Sequence, residues 1–297
     1  MNYPAVSVED ELRGNPVDII ESAVDIKFNS AEDVHSEYGM DAPWLTRPFA
    51  AITHVLEGSS RISFDMDISS SIERQPGATT YIPAGAWRKS EVLSPEGEHF
   101  VWVRASFTLF GGLDLLSFFD VPRVFPSSTS PAFRTLLERI VELENNEKLP
   151  LLEKAVSRKM LLYKTLSLVL ENSRPNADDA RELMLLAQRL SPAITYVNSH
   201  YNKSIAVEQL SSMCSVSSSR FHRLFHKALS VSPLEYQIRL RMKEAQKLLI
   251  FSDFNIAEIA SKTGYSDQFH FSRTFKSRCG ESPLKYRSNS EKFKYTL

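Results

Sequence analysis

The stretch Ile256–Lys276, IAEIASKTGYSDQFHFSRTFK, decides the reading of the chain. Asn255 with Glu258 has capping-box spacing, and Ile256, Ile259 and Ala260 give the helix that follows one apolar face. Gly264 permits the left-handed turn that ends it. Ser266 is placed to cap a second helix from Asp267 to Cys279, in which Phe271, Phe275 and Cys279 form the inner face. Phe269, His270, Arg273 and Lys276 then point outward. A helix, a tight turn and a second helix with a cationic outer face suit the DNA major groove.

Working upstream, the same unit occurs twice. Arg223, Phe225, Ser232, Pro233, Leu234 and Tyr236 return fifty residues on as Arg273, Phe275, Ser282, Pro283, Leu284 and Tyr286. Leu210, Ser215 and Ser217 match Ile259, Gly264 and Ser266 at a spacing of forty-nine, a slip of one residue. In the first copy Phe221 and Phe225 face inward, leaving Ser219, Arg220, Arg223 and His226 outward, with no carboxylate from Ser217 to Ser230. Between the copies, Ser232-Pro233-Leu234-Glu235 reads as a capping box opening a connecting helix that ends near Ser252, with Ile238, Met242, Ala245 and Leu249 as its inward stripe. Twenty helical residues span about 30 Å, close to one turn of B-DNA.

Charge divides the chain in the same place. Of 35 Lys+Arg and 36 Asp+Glu, residues 1–190 hold 19 and 28, and residues 191–297 hold 16 and 8, so a segment of −9 precedes one of +8. A basic module beside an acidic one fits a polyanion-binding unit joined to a partner that does not bind polyanions. Ser191-Pro192, a cap followed by a first-turn proline, reads as a helix start, preceded by a short helix Ala180–Leu190 and a linker at Asn172–Asp179.

The first part of the chain reads as short strands: Ile52–Leu56, Arg61–Met66, Thr79–Pro83 and Phe100–Phe107, separated by turns such as Gln75-Pro76-Gly77. Two helices follow, Phe133–Asn146 and Leu151–Asn172. Leu152, Val156, Met160, Tyr163, Leu166 and Leu170 form one stripe on the second, fitting either an internal core or a dimer seam. No long uncharged apolar run or basic-then-apolar leader is visible, which predicts a cytoplasmic protein without a membrane partner. Cys214 and Cys279 read as core fillers.

The residues IAEIASKTGYSDQFHFSRTFKSRCGESPLKYR, within about Pro192 to Arg287, resemble the AraC/XylS family of transcriptional regulators. The resemblance implies contacts to DNA from Ser218, Ser219, His222 and Arg223 in the first reading head, and from Gln268, Phe269, Ser272 and Arg273 in the second. Lys276, Arg278 and Lys285 suit phosphate. More loosely, the order of strands, the turn at Gly58, Ile82-Pro83-Ala84-Gly85 and the helix pair resembles that family's cupin-like sensing domain. The expected architecture is therefore α+β: a cupin-like β-barrel with a helical hairpin over residues 1–172, a linker at 173–190, and an all-α domain of two helix-turn-helix units over 191–297.

The resemblance implies double-stranded DNA, a small-molecule effector, a second copy of the chain and RNA polymerase as partners. Phe100, Trp102 and Arg104 share one strand face by alternation, and Trp102 resembles a sugar-stacking tryptophan of some relatives. Arg47, His54, Trp87 and Arg88 complete the candidate effector set, whose arginines favour an anionic or hydroxyl-rich ligand. The histidines before Leu190 are His35, His54 and His99, with no close pair in sequence, so no metal, cofactor or enzymatic activity is expected. His222 and His226 stand four apart but lack the glutamate of metalloproteases. A cupin enzyme with a DNA-binding tail and a regulator that senses no ligand are the competing readings.

Overall fold

The computed structural model describes residues 23–110, 112–176, 180–229 and 231–292. Residues 1–22 of the expected N-terminal domain and residues 177–179 of the expected linker lie outside them. Strands β1 (Val24–Ser36), β2 (Ala50–Gly58), β3 (Ser60–Phe64), β4 (Asp67–Arg74), β5 (Thr79–Ile82), β6 (Arg88–Val92), β7 (Glu98–Leu109) and β8 (Leu113–Asp114) form two antiparallel sheets. The larger runs β1-β7-β2-β5, with β8 on β7; the smaller runs β4-β3-β6. Isolated bridges at Asp41↔Glu91 and Leu45↔Arg88 approach the smaller sheet, but among the described residues the ladders do not close into a barrel.

Alternation along β7 sets the layers. Phe100 and Trp102 pack with Ile62, Phe64 and Ile82 in a core between the sheets. Val101, Val103 and Ala105 turn the other way, toward α1 (Ser130–Asn145) and α2 (Leu151–Glu171). Phe133, Leu137 and Ile140 of α1 fill that second layer.

On α2 the apolar stripe read from the sequence is only partly a packing face. Leu161, Leu162, Thr165, Leu166 and Val169 are buried, whereas Leu152 is 78% and Val156 61% exposed. The helix is apolar on two sides, and periodicity alone gives no preference between them.

Part of the segment expected as linker belongs to secondary structure. β10 (Arg174–Pro175) pairs with β9 (Phe119–Asp120), and Asn176 donates to the Ser117 carbonyl at 2.7 Å. α3 (Ala180–His200) then runs without a break through Pro192, so the expected helix start at Ser191 does not occur. Proline removes one backbone donor, but Ala187, Leu190, Ala193, Ile194 and Val197 form a continuous buried stripe across it. Six helices follow: α4 (Val207–Met213), α5 (Ser218–Leu229), α6 (Pro233–Phe251), α7 (Ile256–Lys262), α8 (Gln268–Cys279) and α9 (Pro283–Lys292). The core of the first helix-turn-helix is continuous with that of the sheet domain, and the second has its own, around Phe271, Phe275 and Tyr286.

Candidate functional site

Both helix-turn-helix units have the faces the sequence assigns them. Phe221 and Phe225 on α5, and Phe271 and Phe275 on α8, are fully buried. Ser219, Arg220, His222, Arg223 and His226 are exposed, as are Gln268, Phe269, His270, Arg273 and Lys276. Ser218 is half-buried with its hydroxyl 3.2 Å from that of Ser211, and Ser272 is half-buried as well, so the edges of each reading face are less accessible than its centre.

The turns explain this presentation. Asn255 and Glu258 form the reciprocal capping box on α7. Gly264 adopts φ +84°, and a Cβ there would run into the Asn202 backbone. The cap of α8 is Asp267 rather than the expected Ser266, since its carboxylate accepts from the backbone N–H groups of Phe269 and His270. Those hydrogen bonds, from His270 first, hold the Asp267 carboxyl below its usual range.

The connecting helix α6 has 19 residues, a length of about 28 Å. Ser232 caps it by accepting from the Glu235 N–H, but the return half of the expected box is not made. The Glu235 carboxylate instead takes a two-pronged contact from Arg278 on α8, at 2.9 and 2.8 Å, and a third from Arg239 at 3.0 Å. Arg278 thus joins the second reading helix to α6 through an exposed ion pair. Arg241, which the sequence did not single out, donates to the carbonyls of Tyr201, Lys203 and Gly264 and ties α6 to both units.

The six candidate effector residues separate into groups. Trp102 and Arg104 lie between the sheets, with the Arg104 guanidinium 3.6 Å from the Trp102 ring centroid. Arg47 and Arg88 are buried beside them. Burial, then the charge of Arg47, pulls Arg88 down to about 9, and burial followed by Arg47 and Arg88 lowers Arg104. Among the described residues the Arg88 Nε and Nη2, the Trp102 indole N–H and the Thr53 hydroxyl lack hydrogen-bond partners. Thr53 is opposite Trp102 in the ladder, and only strand register could have revealed it.

His54 and Trp87 lie elsewhere. His54 faces α1, bonds the Thr79 hydroxyl at 2.9 Å, and borders an outer cleft with Arg134. Trp87 packs on Gly280 at the end of α8, where a Cβ would meet the indole ring. That contact belongs to a broad junction between the sheet domain and the last helices. Arg47 Nη1 donates to the Ser290 hydroxyl at 2.5 Å, Tyr286 to the Thr46 carbonyl at 2.8 Å, and Gln246 to the Thr46 hydroxyl at 2.7 Å. A cleft of about 510 Å³ opens beside it, between Thr46, Gly85, Trp87 and the α6 residues Met242, Lys243 and Gln246.

Cys214 and Cys279 are buried and unlinked, consistent with core filling, and burial raises the Cys279 thiol to about 12.

A family model described as "Helix-turn-helix domain" matches residues 210–289. The HTH-type transcriptional regulator AlkR of Acinetobacter baylyi is 37% identical over 106 residues, 36% of this chain and 35% of AlkR. The HTH-type transcriptional activator RhaS of Escherichia coli is 26% identical over 194 residues, 63% of this chain and 66% of RhaS. The chain thus covers about a third of the length of the first curated relatives it matches. ToxT from Vibrio cholerae, solved bound to (E)-4-(8-methylnaphthalen-1-yl)but-3-enoic acid, superposes over 89% of this chain and 99% of its own with a TM-score of 0.55 at 13% identity, a shared fold.

Proposed function

Residues 210–289 being a helix-turn-helix domain of the AraC type, we propose that the chain is a sequence-specific transcription regulator that reads double-stranded DNA with α5 and α8 and answers to a small-molecule effector. The observation that carries the proposal is the pair of exposed cationic faces, around Arg223 and Arg273, on two capped units joined by one 19-residue helix. Arginine at such a position can bridge guanine O6 and N7, while Ser219, His222, Gln268 and Phe269 offer further base-edge contacts. Lys276 suits phosphate. The relatives AlkR and RhaS are regulators, which supports a regulatory rather than an enzymatic role.

The effector reading rests on Arg47, Arg88, Trp102 and Arg104. Three guanidinium groups are buried together, and around Arg104 the charges of Arg47 and Arg88 outweigh that of Glu32, a setting that an anion meets well, while Trp102 supplies a flat apolar wall. Arg47 also holds Ser290 of α9, so an anion binding there competes with a contact to the DNA-binding domain. His54 and Trp87 drop out of this set by position. The cupin-like character of the two sheets is part of the same proposal. So are the division into an effector domain to residue 172, a connecting segment at 173–190 and a DNA-binding domain from 191, a homodimer, contact with RNA polymerase, and a cytoplasmic location. Among the described residues no helix is long and apolar enough to cross a membrane.

Fluorescence anisotropy on the chain's own upstream DNA tests the reading heads. Arg223→Ala and Arg273→Ala should each cost about 1 to 3 kcal/mol of specific binding. Undiminished affinity in both variants overturns the assignment.

A further inference from the structure

A second cluster lies far from both reading heads, on the rim of the larger sheet. In the β1–β7 ladder His35 is directly opposite His99, and Asp33 is two residues along β1. Alternation therefore puts all three side chains on one face, though His35 and His99 are sixty-four residues apart in sequence. The imidazole rings stack with centroids 3.7 Å apart and planes inclined by 17°. His99 Nε2 lies 2.7 Å from Asp33 Oδ1. One ligand atom from each residue lies within 4.8 Å of the other two. A cleft of about 360 Å³ opens there, bordered by Asp33, His35 and Asn145 at the end of α1.

We propose that Asp33, His35 and His99 form a site for a divalent transition cation of the zinc, nickel or copper class, bridging β1 to β7. Two imidazole nitrogens and one carboxylate oxygen suit these borderline metals, whereas calcium and magnesium favour oxygen alone. Ligand atoms around a tetrahedral ion with bonds near 2.0 Å are about 3.3 Å apart, so a set already within 4.8 Å closes by short side-chain movements. The His99–Asp33 contact already brings two of the three ligand groups together, and an entering ion displaces the proton they share. The half-exposed face leaves room for a water as fourth ligand. The effector arginines turn to the other side of the sheet, so the cation and an anionic effector would not share a site.

The test is calorimetric titration of the full-length, untagged protein with zinc chloride. One equivalent should bind, with His35→Ala and His99→Ala each weakening it by about tenfold or more and Asp33→Asn weakening it less. The His222→Ala/His226→Ala double variant, which removes the other closely spaced histidines, should bind zinc as the parent does. Cobalt(II) gives an independent readout: a visible absorption band should form in the parent and vanish in His35→Gln and His99→Gln, substitutions that keep a polar side chain on the sheet rim. The proposal is overturned by an absence of binding up to about 1 mM zinc. It is equally overturned if zinc binding and the cobalt band survive in both histidine variants, or are lost only with His222 and His226.

Discussion

The Tyr286 hydroxyl, in the last helix of the DNA-binding domain, donates to the Thr46 carbonyl of the sheet domain across 2.8 Å, with both groups buried. The ring also packs edge-on against Phe275, at a centroid distance of 5.4 Å, in the core beneath the second reading helix. One side chain therefore couples the packing of α8 to the segment that carries Arg47. Tyr286→Phe keeps the ring and removes the donor. It should lower stability by about 0.5 to 1.5 kcal/mol. Hydrogen exchange should speed up at the Thr46–Phe49 segment and in α9 more than in α5. Equal protection of these segments in parent and variant would show that the bond does not hold the domains together.

Arg88 presents the opposite case, a buried cation at a cost. It is 1% exposed, and two of its donor atoms lack partners among the described residues. Replacing even a buried ion pair with apolar side chains of similar volume is often neutral or stabilising by about 1 to 4 kcal/mol, and a guanidinium with unsatisfied donors has less to lose. Arg88→Met should accordingly raise the midpoint of thermal unfolding while abolishing any stabilisation that carboxylate metabolites give the parent. A variant less stable than the parent would mean that Arg88 is satisfied in the ligand-free protein and is not held ready for an anion.

His54 sets a dependence on pH. Burial, then the charge of Arg134, holds its imidazole below the usual value, opposed only by Glu138. Its hydroxyl partner is Thr79. Below about pH 6.5 the unfolded chain protonates this histidine while the folded chain resists, so the unfolded state binds more protons. Stability is then complete above that pH and falls as the pH drops from it toward the folded-state value. His54→Asn keeps a polar group near Thr79 and cannot titrate. Between about pH 7.5 and pH 5 the parent should lose more melting temperature than the variant. Parallel losses would remove His54 from the account.

The C-terminal units were legible because each level of the sequence agrees with the next. The fifty-residue register, the Asn255 box, Gly264 and the buried phenylalanines all point to one structure. What escaped depended on tertiary facts. Pro192 reads as a helix start, yet the chain continues as helix because apolar residues on both sides of it share one buried stripe. Glu235 has the spacing to close a box with Ser232, but Arg278 takes its carboxylate from forty-three residues away. His35 and His99 meet only through strand register, as do Thr53 and Trp102. Alternation along β7 points to Arg104, whereas the contacts of Tyr286 with Thr46 and of Ser290 with Arg47 join positions 240 and 243 residues apart, beyond the reach of any local pattern.

The outer face of α2 leads to the last prediction. Leu151, Leu152, Val156 and Met160 are exposed, while the helix buries a different side against the sheet domain. Four large apolar residues on one exposed helical surface cost solubility unless a partner covers them. A second copy could do so by antiparallel or parallel packing of α2 on α2, with the residues four apart meeting along a seam. Charged residues flank the strip, with Glu153 and Lys159 able to set the register of the pair. Val156→Glu puts a carboxylate in the middle of this strip without touching the buried Leu161, Leu162, Leu166 and Val169 side. In light scattering coupled to size exclusion, the parent should run as a dimer and Val156→Glu as a folded monomer. Loss of the dimer should also weaken binding to paired DNA half-sites more than to a single half-site, because the linked second binding event is removed. A parent that is monomeric at micromolar concentration, or a variant that stays dimeric, would place the seam elsewhere.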